Sequence, residues 1–398
     1  VVTVRSSLVK LLGWRLLLTL TAAAAPLVLA YQPSFPYAEL FPEWFGAPRW
    51  VTAWANFDGV HYYTIATSGY LGTGLVQAFF PAYPLLVRAL HQLGVPVLAA
   101  ALLISHLSLW AALITLHRLI RLDFSTKIAR WSVLFLLAFP TSFFFGSFYS
   151  ESLFLLAALV SLYQARQGRW RLAGLAAGVA SATRIVGIAL VPALLVELAI
   201  QERLLPKYGY HFEWRPAAWA RAVQGLFKRR WRSLWWIAAG GLGVLGFMLF
   251  LSIQFNDPLY FLSVQAEFGG GRQESLVAYP QVVWRYTKIL TTGSVSGVRL
   301  WSTVQEMIAG VVAVVGLGLA ALKIRWSYIL FAGIAILLPT LTGTFSSMPR
   351  YILVAFPLYI GLALVTKSRP ELRWTILSIS GLLLVMNTLL FSQGYWVA

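Results

Sequence analysis

Apolar runs of about twenty residues recur along nearly the whole chain and leave it few possible folds. They occur near 8–31, 97–117, 233–255, 304–322 and 374–393, and each is long enough to cross a bilayer as a helix. Lipid offers no partner to a backbone N–H or C=O, so a spanning segment must satisfy its own hydrogen bonds. Continuous runs, rather than alternating ones, point to helices. Only 11% of the 398 residues are charged and the mean hydropathy is +0.74, whereas a soluble domain carries about a quarter charged residues. The expectation is an all-α polytopic membrane protein.

The 31 Lys and Arg outnumber the 13 Asp and Glu, a net charge of +18. In a soluble protein this would suggest nucleic acid. Here most basic residues sit in short loops between apolar runs, where they set orientation and meet anionic membrane lipid. No glycine-rich phosphate loop, zinc spacing or RNA-binding signature is present, so no nucleic-acid partner is expected. The absence of cysteine excludes disulfides and thiolate chemistry. The first run carries Arg5, Lys10 and Arg15 without an evident cleavage site, which reads as a retained helix with its basic end inside.

The chain then reads as one membrane domain, 1–398. An outer loop covers 32–96. Its second half, Gln77 to Leu86, has two prolines with Arg88 and His91 nearby, so an interfacial or re-entrant element is expected there. After the crossing near 97–117, Arg118, Arg121, Lys127 and Arg130 mark an inside loop. A hairpin near 131–147 and 150–165 turns on the outside between Phe139 and Ser152, and Arg166, Arg169 and Arg171 return it. Residues 172–200 are read as two short helices meeting near Thr183-Arg184, because the basic segment 202–232, with Arg203, Arg215, Arg221 and Arg230, also belongs inside. Gly240, Gly241, Gly243 and Gly246 suit close helix contact in the next crossing. An outer loop over 256–303 and crossings near 304–322, 327–345, 351–366 and 374–393 complete about eleven spans, with the last residue outside.

The stretch from Trp54 to Tyr70 is polar and aromatic where its surroundings are aliphatic, and it holds one of three aspartates. A carboxylate in an outer loop is often only solvated, but Asp58 has Gly59 beside it to allow a tight turn. His61 stands one helical turn on, and Trp54, Phe57, Tyr62 and Tyr63 are read as interfacial anchors. Partial burial is expected to raise the Asp58 pKa and make it a general base. Arg184 interrupts an apolar stretch, so it either serves function or ends a short helix and snorkels. Arg350, after Pro349, is either a phosphate ligand or an anchor. Glu151 has a sufficient structural account as an acid at a helix N-terminus capped by Ser150. Asp257 before Pro258 reads as a turn residue, Asp123 as a charge-balancing one. No acids have metal-like spacing, so no metal or other cofactor is expected.

Trp54-x-x-Phe57-Asp58-Gly59-x-His61-Tyr62, then Ile65-Ala66, Gly69-Tyr70 and Phe79-Phe80-Pro81-x-Tyr83-Pro84, resembles the PIG-V-like integral-membrane mannosyltransferases of the GT-C superfamily. Pro140-Thr141 through Tyr149-Ser150-Glu151-Ser152, Ala182-Thr183-Arg184-x-x-Gly187, Asn256-Asp257-Pro258-Leu259-Tyr260-Phe261 and Met348-Pro349-Arg350-Tyr351 are similar to further motifs of that family. The first motif more often reads Arg-Trp-Asp where this chain has Asn56-Phe57-Asp58. The resemblance implies a GT-C bundle that moves a sugar, mannose above others, from a polyprenyl-phosphate or dolichol-phosphate donor to a hydroxyl of a glycolipid or short glycan. It implies inversion at the outer face of a cell membrane, or the luminal face of the endoplasmic reticulum in a eukaryote. Asp58 is then the catalytic base, and His61, Tyr62, Tyr149, Glu151, Arg184 and Arg350 the substrate-binding candidates.

A lipid or sugar transporter would also need many helices, some broken, and a non-catalytic subunit would share the composition. Transporters often show internal repeats and midplane charged pairs. No repeat is evident here and the polar motifs fall on one side.

Overall fold

The computed structural model describes residues 2–70, 75–209, 216–268 and 276–397. Arg215 lies outside them, as do parts of the three loops 32–96, 202–232 and 256–303. Among the described residues the fold is helical without strands. The helices that matter for the site are α1 (Val2–Ala24), α2 (Asp58–Ser68), α3 (Ala82–Gln92), α4 (Val97–Ile120), α5 (Thr126–Ala138), α6 (Glu151–Arg166), α7 (Trp170–Thr183) and α8 (Leu190–Gln201). They continue with α9 (Pro216–Ala239), α10 (Leu242–Phe255), α11 (Tyr279–Thr291), α12 (Gly297–Ala320), α13 (Trp326–Thr340), α14 (Met348–Ile352), α15 (Phe356–Val365) and α16 (Pro370–Ser392).

Four helical stretches, Val4–Leu27, α4, α12 and α16, are long and apolar enough to cross a membrane, and a fifth if Phe227–Ala239 and Leu242–Phe255, bent by 46°, form one span. The chain is an integral membrane protein. The other expected crossings are represented by shorter helices: α13 has 15 residues and α15 has 10, against about twenty for a straight span. α5 stops at Ala138 because Pro140 disfavours helix at the residue before it. The break expected near Thr183-Arg184 is present, with Arg184 extended between α7 and a 3-10 turn that leads into α8. Gly187 makes that turn possible, since any Cβ there would collide with the backbone of Ala180 and Ser181.

α6 lies against α4 and α7, α5 against α15, and α8 against α13. α7 is crossed by α9 and α10. Gly243 sets the closeness of the α7–α10 crossing, because a methyl there would meet the backbone of Gly178 and Ala182. Gly246, by contrast, has open space around it and plays no part in the contact expected for it.

The first loop is not an interfacial fringe. Trp54, Phe57 and Tyr62 are buried within the protein, which corrects their reading as membrane anchors. They fill the space between α2, the 143–149 turn and the end of α16, and burying such large apolar bodies gains more than leaving them at the headgroups. Tyr63 is half-buried and stacks on Trp44 at 4.4 Å. The loop is stitched to the end of α16 by backbone: Gln32 N–H donates to Gln393 C=O (2.9 Å) and Ser34 N–H to Gly394 C=O (3.0 Å). The Phe139–Ser152 turn, expected outside, is likewise buried from Thr141 through Ser152. It forms the wall behind the site.

Candidate active site

Asp58 opens α2, where an acid complements the positive end of the helix dipole. The residue before it does the turning. Phe57 has φ of +59°, a sign that non-glycine residues rarely adopt. Its ring is held between Phe35 at 4.9 Å, Trp396 at 4.9 Å and Phe391 at 5.6 Å, packing that supports such a conformation. Gly59, expected to supply the turn, instead supplies closeness: a Cβ there would sit 3.3 Å from Ala55 Cβ and 3.5 Å from Phe148 Cβ. Asn56, at the position where the family more often has a cation, donates from Nδ2 to Phe391 C=O (2.8 Å). Tyr149 threads the two residues together, donating to Asn56 C=O (2.8 Å) and accepting from the Asp58 N–H (3.2 Å).

Four charges from four distant segments form one chain. Arg350 Nη1 donates to Asp58 Oδ2 and Arg350 Nε to Glu151 Oε1, while Arg184 Nη1 donates to the same Glu151 oxygen. Two acids and two arginines cancel, which is how charges survive within a membrane protein. The inner pair is nearly sealed, with side chains 6% exposed for Arg350 and 1% for Glu151; Asp58 and Arg184, the outer ends, are 19% and 15% exposed. The Arg350 guanidinium also lies over the Tyr149 ring at 4.7 Å and the Phe144 ring at 5.2 Å, and Arg184 lies 5.8 Å from the Tyr351 centroid. Such cation–π contacts favour the charged arginine.

These contacts reverse one expectation. Burial does push the Asp58 carboxyl upward. Arg350, through its charge and its hydrogen bond, and then His61 and Arg184, together outweigh burial and hold it below the ordinary carboxylate value. Asp58 is therefore ionised but engaged. Burial lowers the His61 pKa against the opposing pull of Asp58. His61 is stacked on Phe79 at 4.8 Å and meets Phe268 edge-on at 5.6 Å, without a hydrogen bond to Asp58. Tyr62 donates to Ser150 Oγ (2.8 Å).

A cavity of about 1610 Å³ opens onto the chain of charges. Asp58, His61, Tyr62, Arg184 and Arg350 line it. Glu151 and Tyr149 stand behind that wall: they hold the arginine and the aspartate rather than face the space. The structure thus brings all seven sequence candidates into one place and sorts them into a face and a backing. Asp257 takes the turn role read for it, accepting the Leu259 N–H at Oδ1 (2.8 Å). Asp123 pairs with Arg166 at 2.5 Å.

Other supporting residues escaped the sequence reading. Thr141 Oγ1 donates to Pro349 C=O (2.9 Å), pinning the second motif to the residue before Arg350. Glu306, on α12, lines the cavity and accepts the Ser347 N–H (3.1 Å) and the Tyr286 hydroxyl (2.7 Å). Ser347 has φ of +66° and leads into α14, which carries Arg350, so Glu306 fixes the start of that helix. An acid inside the apolar run 304–322 was the available signal, since intramembrane carboxylates are costly unless used.

Residues 34–201 match the family described as Mannosyltransferase (PIG-V). The match covers less than half of the 398 residues. The matched stretch contains Asp58, His61, Tyr62, Tyr149, Glu151 and Arg184, whereas Arg350 lies beyond it. Among solved structures, that of ArnT from Cupriavidus metallidurans bound to undecaprenyl phosphate aligns with a TM-score of 0.45 at 15% identity, over 96% of this chain and 76% of that one. The Archaeoglobus fulgidus oligosaccharyltransferase, in complex with zinc and sulfate, aligns with a TM-score of 0.38 at 12% identity, over 80% of this chain and 45% of that one. No curated protein sequence matches the chain.

Proposed function

We propose that this protein is a PIG-V-type, inverting GT-C transferase that moves mannose from a polyprenyl-phosphate donor to a hydroxyl of a glycolipid or short glycan at the outer membrane face. Asp58 is the general base. The observation that carries the reading is the cavity-facing pair Asp58–Arg350, a carboxylate held by a cation that an incoming phosphate can claim. In the resting site Arg350 occupies Asp58 and makes it a weak base. A donor phosphate entering beside Arg184 and Arg350 competes for both guanidiniums, whose planar forks suit phosphate oxygens. Asp58 is then released next to the reacting sugar.

The acceptor hydroxyl attacks the anomeric carbon as the carbon–oxygen bond to phosphate breaks. Its proton passes to Asp58, and the electron pair leaves with the polyprenyl phosphate, whose charge the two arginines stabilise. With two fixed cations at the leaving group, the transfer runs without a divalent metal. Much of the cavity lining is apolar, including Leu262, Val295 and Leu338, a surface compatible with the lipid part of a donor.

The test is mannose transfer from polyprenyl-phosphate-mannose in nanodiscs, comparing wild type with Asp58→Asn, each with and without EDTA. The expected result is EDTA-resistant transfer by the wild type and a loss of at least 10²-fold in the variant. Equal rates in the two proteins refute Asp58 as the base, EDTA-sensitive transfer refutes the metal-free scheme, and no transfer from any polyprenyl-phosphate sugar across a panel of acceptors favours transport.

A further inference from the structure

A second, smaller recess lies away from the charge chain, at the far end of the helices that support it. It has a volume of about 50 Å³ and is lined by Ser6, Ser7 and Lys10 of α1, His117 in the last turn of α4, and Thr126 and Arg130 at the start of α5. α5 has 13 residues and so rises about 20 Å, and the Thr141–Pro349 contact stands beyond its other end. The recess therefore belongs to the membrane face opposite the candidate active site.

Its chemistry is one-sided. Lys10, Arg130 and the titratable His117 converge, three hydroxyls surround them, and no carboxylate lines the space. Among the described residues Lys10 Nζ donates only to Ser6, and Arg130 is in no ion pair. Asp123, the acid of the adjoining loop, is taken by two hydrogen bonds from Arg166, at 2.5 and 2.9 Å. Like charges brought together at a membrane surface repel unless a counter-charge joins them. The recess has room for more than one water-sized group, and the ionised donors are of the kind that hold phosphate oxygens. Beside it, Val9 and Leu12 of α1 are 64% and 59% exposed, an apolar surface of the kind that faces lipid.

We propose that this recess is a binding site for a phosphate group, with Lys10 and Arg130 as its charged ligands and the hydroxyls of Ser6, Ser7 and Thr126 as neutral ones. An anionic phospholipid headgroup and a soluble phosphate share this chemistry, and the site joins α1 to α4 and α5 whichever source fills it.

The experiment uses the full chain in a zwitterionic detergent. Retention of phosphatidylglycerol and of phosphatidylcholine is measured by native mass spectrometry, and thermal unfolding is followed with either lipid or with inorganic phosphate. Wild type is expected to retain phosphatidylglycerol over phosphatidylcholine and to be stabilised by it. Lys10→Gln and Arg130→Gln should each weaken that retention about fivefold. Stabilisation of wild type by inorganic phosphate as strong as that by phosphatidylglycerol, and lost in both variants, supports the site and assigns it to soluble phosphate. Equal phosphatidylglycerol retention together with an equal phosphate response in wild type and Arg130→Gln, or no preference for the anionic lipid together with no response to phosphate, overturns the proposal. Arg130 is exposed, so Arg130→Gln keeps the test open even if Lys10→Gln fails to fold.

Discussion

Replacing Arg350 with methionine tests the charge chain most directly, because this one side chain holds both acids. Methionine keeps an unbranched apolar stem of similar reach and removes the guanidinium. The substitution leaves Glu151 with Arg184 alone and leaves Asp58 without its cation. Breaking a buried ion pair by deleting one partner costs about 3–5 kcal/mol, and at 6% exposure Arg350 is screened little by solvent. A second effect follows in the pH profile. In wild type the Asp58 pKa is depressed, so the pair contributes stability above the unfolded carboxylate value of about 3.9, and that contribution is lost as pH falls through the lower folded value. In the variant, the burial that pushes Asp58 upward loses its chief opponent, so the carboxylate costs stability at neutral pH and recovers it on protonation. The gap in thermal stability between the two proteins should therefore be widest near neutrality and narrow as pH falls. The acid limb of the residual transferase activity should also move to higher pH, since the base must be ionised to accept a proton. Thermal unfolding and rate, each followed from neutral to acid pH, provide the assay. A constant stability gap with an unmoved acid limb would refute the coupling between Arg350 and Asp58.

Three further substitutions address the frame. Glu306→Gln keeps an acceptor for the Ser347 N–H but loses the charge, so folding should survive, with a loss of about 1–2 kcal/mol; transfer kinetics should show a raised KM as α14 loosens, and unchanged kinetics would detach Glu306 from the site. Gly243→Ala should destabilise by about 1–3 kcal/mol through overpacking against the α7 backbone, while Gly246→Ala, with nothing near it, should be neutral or slightly stabilising; equal unfolding temperatures for the two would contradict the crossing described.

The sequence signals that proved readable were local. An aspartate before a glycine, with histidine three residues on, fits the front of a helix, and a charged residue breaking an apolar run marks the α7–α8 break at Arg184. The basic 202–232 segment was enough to decide between one kinked helix and two short ones. The unreadable part was pairing over distance. Arg350 meets Asp58 across 292 positions and Glu151 across 199, and spacing carries no information at that range. The Asp58 pKa was misjudged for the same reason: burial could be foreseen, but the cation that overrides it could not. The aromatics of the first loop were misplaced because a tyrosine or tryptophan suits a membrane interface and a protein interior equally well, and composition does not say which surface arrives to cover it.

The stitching of the first loop to the end of α16 also has a consequence in time. Asn56 finds its partner at Phe391, 335 residues later. At a synthesis rate of about 5–20 residues per second, that separation is roughly 20–70 s. During that interval the backbone groups of Gln32 and Ser34 and the amide of Asn56 exist without the acceptors that will hold them. The Asp58 carboxylate is thus set in place by a helix made more than 300 residues after it, and a nascent protein interrupted before α16 carries every acid of the charge chain and no finished site.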